Sequence, residues 1–551
     1  MRRSPLPADK LDVPSWPLVT GVLLGLSFPP YGLYVLAFVA LVPLLIRWGR
    51  TTSLLALAAE TYSALLLAFA LSGYWVLFHE ARWAAILSGL SLLALPLPLV
   101  TPVVLSAAVR MRAGAARGFM VLVTGALTVE FLLSNGPFAM PWMQLGASMS
   151  GATGMNQFAE VTGVTGLSAW IWLVNGSIYA VLAAPRRRGW KPGAVTAAAL
   201  ALAALMLAPI SYSKQRLSEL YQTDTSRRLS VGVIQPGVSS EAWQGASDGR
   251  RVEHLAALSE RVMEDAARPD VLVWPEGALP TYPDAARQRR LYDRLAAWTD
   301  LQDTALLTGA LTRPVSAPDP SAVDGSDPFA IRSSALLFQE ESEPQQYDKV
   351  HLVPVMERVP ATIHVASPGA PRLQSQQPFL PEAFQPGSKI RPVTLRGDVP
   401  ARIGTLMGFE SLLSSHARAF VSAGAEVLVT MTQNGAWGDA PSYAQHVALT
   451  RLRAIETRRA VVMAATSGAS GLIYADGTFA RVSGWNVQEL NSYDAPLLTG
   501  TTFFVRHGDW VGAAATMLFC VLVLTWLLRV LTVPPPQPKR VPQRSAAMPW
   551  A

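Results

Sequence analysis

Eight runs of apolar residues, 16–29, 31–47, 54–78, 84–108, 118–135, 160–184, 193–212 and 509–530, constrain this chain more than any other feature. A helix needs about 20 predominantly apolar residues to cross a bilayer. The first run is short and broken at Phe28-Pro29-Pro30, which predicts a tight hairpin with the second. With no small-residue cleavage site and another apolar run close behind, it reads as an anchor and not as a removed leader. Lys and Arg residues gather in alternate loops: Arg2, Arg3 and Lys10, then Arg47 and Arg50, then Arg110, Arg112 and Arg117, then Arg186 to Arg188 with Lys191. The intervening loops hold Arg82 alone, and Arg529, Lys539, Arg540 and Arg544 follow the last run. Such alternation sets orientation. It predicts a membrane domain over 1–212 with about seven transmembrane helices, a large domain over 213–508 outside the cytoplasm, a returning helix at 509–530, and a Pro-rich, basic cytoplasmic tail at 531–551. Both termini are then cytoplasmic.

Composition agrees. Half of the 551 residues are hydrophobic and 15% are charged, against roughly 25% charged in soluble domains. The deficit is confined to the apolar runs; from Lys214 to about His507 the composition is that of a soluble domain long enough to bury its own core. The formal charge of +7 lies in short groups beside apolar segments, which points to membrane lipids and away from nucleic acid. The single cysteine, Cys520, falls in the last apolar run. That excludes a disulfide framework and a Cys-based zinc site, and the His residues show no ligand spacing, so neither metal nor cofactor is expected.

The outer region alternates strands (229–235, 270–276, 304–309, 403–407, 426–430, 460–464) with helices (249–267, 283–299, 412–424, 442–458). This order argues an α/β layered sheet. The Pro-, Ser- and Gln-rich stretch 358–392 reads as a long loop over one face. Active sites in open α/β sheets collect at strand ends, and three strand ends here carry charge: Glu276 in Trp274-Pro-Glu, Lys349 in Tyr347-Asp-Lys-Val-His-Leu-Val-Pro354, and Glu410 after Ile403-Gly-Thr-Leu-Met-Gly-Phe. Each alone is equally well a solvated charge.

Together they resemble the nitrilase (carbon–nitrogen hydrolase) superfamily, whose site takes Glu, Lys and Cys from three strand ends. With the membrane helices the chain is similar to the apolipoprotein N-acyltransferase family. Over the membrane region the resemblance rests on Ser27-Phe-Pro-Pro-Tyr-Gly32, Glu130, Pro141-Trp142, Leu145-Gly146, Gln157, Glu160, Gly163, Gly166 and Asn175. In the outer region it rests on Gln235, Trp243, Trp274-Pro-Glu276, Lys349 to Pro354, Glu357, Val359-Pro360, Asn434, Trp437, His446, Arg451, Arg453-Ala-Ile-Glu456 and Arg459. It implies an α-β-β-α sandwich beside a multi-span helical domain in the bacterial inner membrane, with the sandwich periplasmic. The implied substrates are a phospholipid acyl donor and a diacylated lipoprotein, without a cofactor, and the chain is expected to be a monomer. Glu276 takes the place of the general base, Lys349 that of the oxyanion-stabilising lysine and Gly408 that of the nucleophile. Trp243, Glu357, Glu410, Asn434 and Trp437 fall at supporting or substrate-binding positions.

The departures bear on chemistry. The family's Cys-Tyr-Glu reads Gly408-Phe409-Glu410, its Asn-Asp-Ala-Trp reads Asn434-Gly-Ala-Trp437, an expected Arg is Leu133, and the usual Asn-Thr-Gly reads Thr466-Ser-Gly468. Covalent catalysis needs its nucleophile; in the subtilisin example, removing it costs on the order of 10⁶ in rate. Of the nearest hydroxyls, Ser411 lies three residues past the expected position, and Thr405 sits an odd number of strand residues away, which predicts the opposite face. The sequence therefore favours a cleft that binds without thioester chemistry, a pseudo-enzyme. An active enzyme with another nucleophile, or a hydrolase using Glu-activated water, is the alternative.

Overall fold

The computed structural model describes residues 16–79, 82–136, 139–183, 192–222, 226–246, 248–264, 268–280, 285–313, 331–340, 343–354, 357, 384–433, 435 and 441–532. The N-terminal basic cluster, the loop at 184–191, most of the 358–392 stretch, Asn434, Trp437 and the tail from 533 lie outside them.

The first half is helical: α1 (Trp16–Ser27), α2 (Val42–Arg50), α3 (Leu54–Gly73), α4 (Arg82–Ala94), α5 (Pro96–Ala113), α6 (Ala115–Ser134), α7 (Ala159–Ala183) and α8 (Pro192–Gln222). Six described helical stretches are long and apolar enough to cross a membrane: Leu54–Phe78, Ala84–Ala113, Ala115–Ser134, Ala159–Leu182, Thr196–Gln222 and Trp510–Thr532. The first two apolar runs of the sequence appear instead as short helices around the Phe28–Gly32 turn, where Pro29 and Pro30 cannot continue α1. The seventh run extends ten residues past the sequence boundary at 212, as α8 ends at Gln222. Leu200, Leu207, Val521 and Leu524 stand exposed on the outer helices, as expected of side chains that face lipid.

The second half is a sandwich of two six-stranded sheets. The strands are β1 (Arg228–Gln235), β2 (Val271–Leu279), β3 (Ala305–Thr312), β4 (Arg332–Phe338), β5 (Gln345–Asp348), β6 (Val393–Leu395), β7 (Ala401–Met407), β8 (Val427–Thr432), β9 (Val461–Ala465), β10 (Gly471–Ile473), β11 (Phe479–Val482) and β12 (Glu489–Pro496). One sheet runs β12-β1-β2-β3-β4-β5 and the other β11-β10-β9-β8-β7-β6. Helices α9 (Ser240–Gly245), α10 (Asp248–Met263) and α11 (Ala285–Gln302) cover the first, and α12 (Ser414–Ser422) and α13 (Pro441–Thr457) the second. After β12 come α14 (Phe503–His507) and α15 (Trp510–Thr532).

The period of two explains why the sheets stack. Val271 and Val273 of β2 enter the core between the sheets, with Ile403, Val427 and Val429 opposite, while Leu272 and Trp274 enter the core under the covering helices. Burying such a side chain contributes about 1.5–3 kcal/mol. Both faces of the parallel strands are covered, so β8 is buried throughout, Thr430 and Thr432 included. The helix expected over 412–424 is α12 (Ser414–Ser422), and a 3₁₀ turn (Gly408–Leu412) that the sequence reading did not include precedes it at the site.

The two halves are joined by buried polar contacts. Arg458 Nε donates to Glu160 Oε2 at 2.6 Å and its Nη1 to Gln157 Oε1 at 2.6 Å. Glu456 Oε1 accepts the backbone N–H of Val164 at 3.0 Å. Gln445 Nε2 donates to the carbonyls of Pro29 and Ser72, pinning α13 to the membrane helices.

Candidate active site

Glu276 owes its direction to an irregularity in β2. Strict alternation would place it beside Trp274, facing the covering helices. The pairing of β2 with β3 shifts between Trp274 and Leu279, and Gly277 takes a φ of +70°. Such bulges re-aim a side chain. Gly309 of β3 completes the fit: a Cβ there would lie 2.6 Å from both Glu276 Cα and the Pro275 carbonyl oxygen. The turned carboxylate meets Lys349, whose Nζ donates to Glu276 Oε1 at 3.1 Å and to Glu357 Oε1 at 2.8 Å. Ser333 Oγ adds a hydrogen bond to Glu276 at 3.3 Å.

Lys349 is buried directly after β5, with Glu276 and Glu357 partly accessible on either side. Burial opposes its charge, but the two carboxylates outweigh that and hold the amine protonated beyond its ordinary range. Burial pushes the Glu276 carboxyl upward, against the pull of the lysine. A carboxylate base whose pKa is raised, held beside a fixed cation, suits proton abstraction with oxyanion stabilisation.

Gly408 closes this group. It begins the 3₁₀ turn after β7 with φ +48°, and a Cβ built on it would stand 2.7 Å from Glu276 Oε2 and 3.4 Å from Lys349 Nζ. A side chain at 408 would thus enter between base and cation, as the resemblance requires of a nucleophile. The left-handed strand-to-turn geometry is that of a nucleophile elbow, and the glycine there carries nothing.

Glu410 does not join the cleft. It is buried, and its oxygens accept from the Tyr347 hydroxyl (2.9 and 3.0 Å) and from the backbone N–H groups of Val350 (2.7 Å), His351 (3.0 Å) and Met407 (3.1 Å), with His416 Nε2 at 3.2 Å. Burial works against its charge; His416 and the His351 N–H more than offset this and hold the carboxyl down at about 2. It fixes the lysine loop from behind. Trp243 likewise sits in the apolar layer with Trp274 and Leu255, a packing position rather than the substrate loop the resemblance implies. Thr405 is buried, and its hydroxyl has no hydrogen-bond partner among the described residues.

Ser411 is where structure and sequence differ most. Ser411 lies in the same turn, three residues past Gly408. Its Oγ lies 2.8 Å from the Gly408 carbonyl oxygen and 2.6 Å from His446 Nε2 on α13. Burial, and after it the charge of Lys349, push the His446 imidazole down to about 4. The spacing of 35 between Ser411 and His446 gave no sign of this pair in sequence.

The site adjoins the membrane helices. The Phe409 ring packs on Trp142 at 5.4 Å, and Trp142 on Trp75 at 6.2 Å. Trp142 and Leu133 line a small cavity of about 20 Å³, and Phe69, Glu130 and Met143 are shared with an apolar cavity of about 60 Å³ deeper between the helices.

Two stacked sheets with Glu and Lys meeting at strand ends, carried on apolar helices, define a carbon–nitrogen hydrolase domain built into a multi-pass membrane protein. The carbon-nitrogen hydrolase family matches residues 231–499, and the apolipoprotein N-acyltransferase N-terminal domain matches residues 20–177. The chain belongs to the apolipoprotein N-acyltransferase family. It is 27% identical over 528 residues to the apolipoprotein N-acyltransferase of Chlorobaculum tepidum, covering 93% of this chain and 96% of that one. To that of Geobacter metallireducens it is 29% identical over 527 residues, 92% and 94% of the two chains. With the Gloeobacter violaceus protein it shares 28% over 516 residues, 89% of each.

Proposed function

We propose that this chain binds a phospholipid acyl chain and a diacylated lipopeptide at the Glu276–Lys349–Glu357 cleft, in a bacterial inner membrane with the sandwich on the periplasmic side, and forms no acyl thioester there. The observation that carries this reading is the direction of Gly408. A thiol built on it would stand between a carboxylate at 2.7 Å and an ammonium at 3.4 Å from its Cβ, and glycine supplies none. By the family's thiol route the chain is inert. The apolar lining of the space beside Trp142 supports an acyl chain as the ligand. Glu276 Oε2 reaches the space that a 408 side chain would fill, so a second reading is slow hydrolysis of a lipid ester by water that Glu276 activates.

The test uses purified protein with a phospholipid labelled in its acyl chain, alongside Gly408→Cys. The reading expects a thioester adduct at position 408 in the variant and none at this position in the unaltered chain. Absence of any adduct in a folded Gly408→Cys protein would overturn the assignment of the cleft.

A further inference from the structure

Phe503 is 44% exposed although it lies on no spanning helix. Its helix, α14, has five residues and joins the sandwich to α15. One side of α14 is fastened down. Phe504 and Val505 are buried, and the Phe504 ring lies against Gly163 of α7, where a Cβ would come within 2.7 Å of it. Arg418 of α12 donates to the carbonyls of Val505 at 2.9 Å and Arg506 at 3.3 Å. Residues three and four apart share a helix face, so the opposite side presents Phe503, Arg506 and His507, all exposed.

These side chains form one ordered group with Trp510. The Phe503 and His507 rings stack at 4.0 Å, and His507 Nδ1 donates to the Phe503 carbonyl at 3.1 Å. Trp510, 41% exposed, meets Phe503 edge-on at 6.1 Å while its Nε1 donates to the Val161 carbonyl at 2.9 Å. The Arg506 guanidinium is held by Thr501, through Nε to Oγ1 at 3.1 Å and Nη2 to the carbonyl at 3.0 Å.

Their depth follows from α15. Trp510 begins a stripe that continues through Met517, Val521, Leu524, Leu528 and Leu531, all exposed and on one helical face. From Trp510 to Leu531 the helix rises about 32 Å at about 1.5 Å per residue, close to the roughly 30 Å of a bilayer's hydrocarbon core. The stripe therefore faces lipid along its length. Trp510 marks the edge of the core, where tryptophan rings collect, and α14 precedes it at headgroup level.

We propose that Phe503, Arg506, His507 and Trp510 form a seat for phospholipid headgroups, with the aromatic rings at the acyl boundary and Arg506 on a headgroup phosphodiester. A guanidinium fork matches phosphate oxygens, and a basic side chain beside apolar rings suits a surface that is charged outside and apolar within. The continuous lipid-facing stripe below the seat makes the bilayer, not a protein, its partner. The seat is separate from the Glu276–Lys349–Glu357 cleft and does not depend on what that cleft binds.

The experiment measures depth in vesicles of phosphatidylethanolamine and phosphatidylglycerol. The full chain carries Cys520→Ser, which removes its single cysteine. Phe503→Cys, His507→Cys, Leu524→Cys and Leu301→Cys are then made one at a time, and each is given a nitroxide. Leu301, 79% exposed on α11, serves as the aqueous reference and Leu524 as the hydrocarbon reference. Power saturation with oxygen and with a water-soluble nickel chelate reads the depth of each label. The expected result places labels at 503 and 507 between the two references. Labels as open to nickel as that at 301 overturn the seat, and labels as deep as that at 524 overturn its headgroup assignment. The label at 503 is also expected to enhance relaxation of the lipid phosphorus nuclei, and Arg506→Gln to reduce that enhancement. An equal enhancement with and without Arg506 overturns the phosphodiester contact.

Discussion

Glu410 Oε1 stands 2.7 Å from the backbone nitrogen of Val350, the residue that follows Lys349. The turn bearing Gly408 is thereby tied to the loop bearing the lysine, through a carboxylate that never reaches the cleft. Depression of its carboxyl from an ordinary 4.5 to about 2 corresponds to roughly 3 kcal/mol. A lowered folded-state pKa contributes stability that is present above the unfolded value, and is lost as pH falls from about 4.5 toward 2. Glu410→Gln is expected to lower neutral-pH stability by a few kcal/mol and to flatten its acid dependence. Thermal unfolding in detergent between pH 7 and pH 3, read by near-UV circular dichroism, checks both.

Replacing Lys349 leaves Glu276 and Glu357 facing each other without their shared cation. Breaking a buried pair on one side costs about 3–5 kcal/mol. Lys349→Met is expected to be destabilised by that order at neutral pH and to recover part of it on acidification, as the carboxylates take up protons. A gap to the unaltered protein that stays constant from pH 8 to pH 5 would count against the cluster being buried and ionised.

Gly408→Cys is expected to fold with a penalty of about 1–3 kcal/mol, since a side chain is strained at φ +48°. Its Cβ also requires the Glu276 carboxylate to swing aside. Gly408→Ala carries the same strain without a thiol. Equal melting temperatures for the two variants, with lipid adducts at position 408 only in the cysteine variant, is the expected pair of results.

Arg458 clamps Glu160 and Gln157 where the sandwich meets the membrane helices. Arg458→Ala leaves Glu160 partnered by Arg216 on α8 but removes the bonds from Arg458, just after α13, to Glu160 and Gln157. The expected outcome is faster proteolytic release of the sandwich from the membrane, measured by limited trypsin digestion of vesicles, with the melting of the sandwich itself little changed.

Orientation is open to a direct test. A periplasm-dependent reporter fused after Gln222 is expected to be active, and one fused after Val541 to be silent. The reverse pattern would overturn the basic-loop assignment.

Much of this protein is legible in its sequence because the signals are local. Apolar length marks the helices, alternate basic loops predict their sides, and charged residues directly after buried runs mark Glu276 and Lys349. Six strands went unread: β5, β6, β10 and β11, because three or four residues carry too little period, and the longer β4 and β12. Glu410 was placed in the cleft because a strand end looks alike whether its carboxylate turns toward substrate or back onto Val350 and His351.

The sequence by itself determined that the chain enters a membrane, that its outer part alternates strand and helix, and that no thiol stands at position 408. Three matters were decided only by the tertiary structure. A bulge in β2 turns Glu276 onto Lys349, a choice of pairing register invisible in one strand. The Glu410 carboxylate folds back on the lysine loop, because buried backbone N–H groups need acceptors. And the chain after Met407 winds into a 3₁₀ turn that carries Ser411 to His446 of another helix.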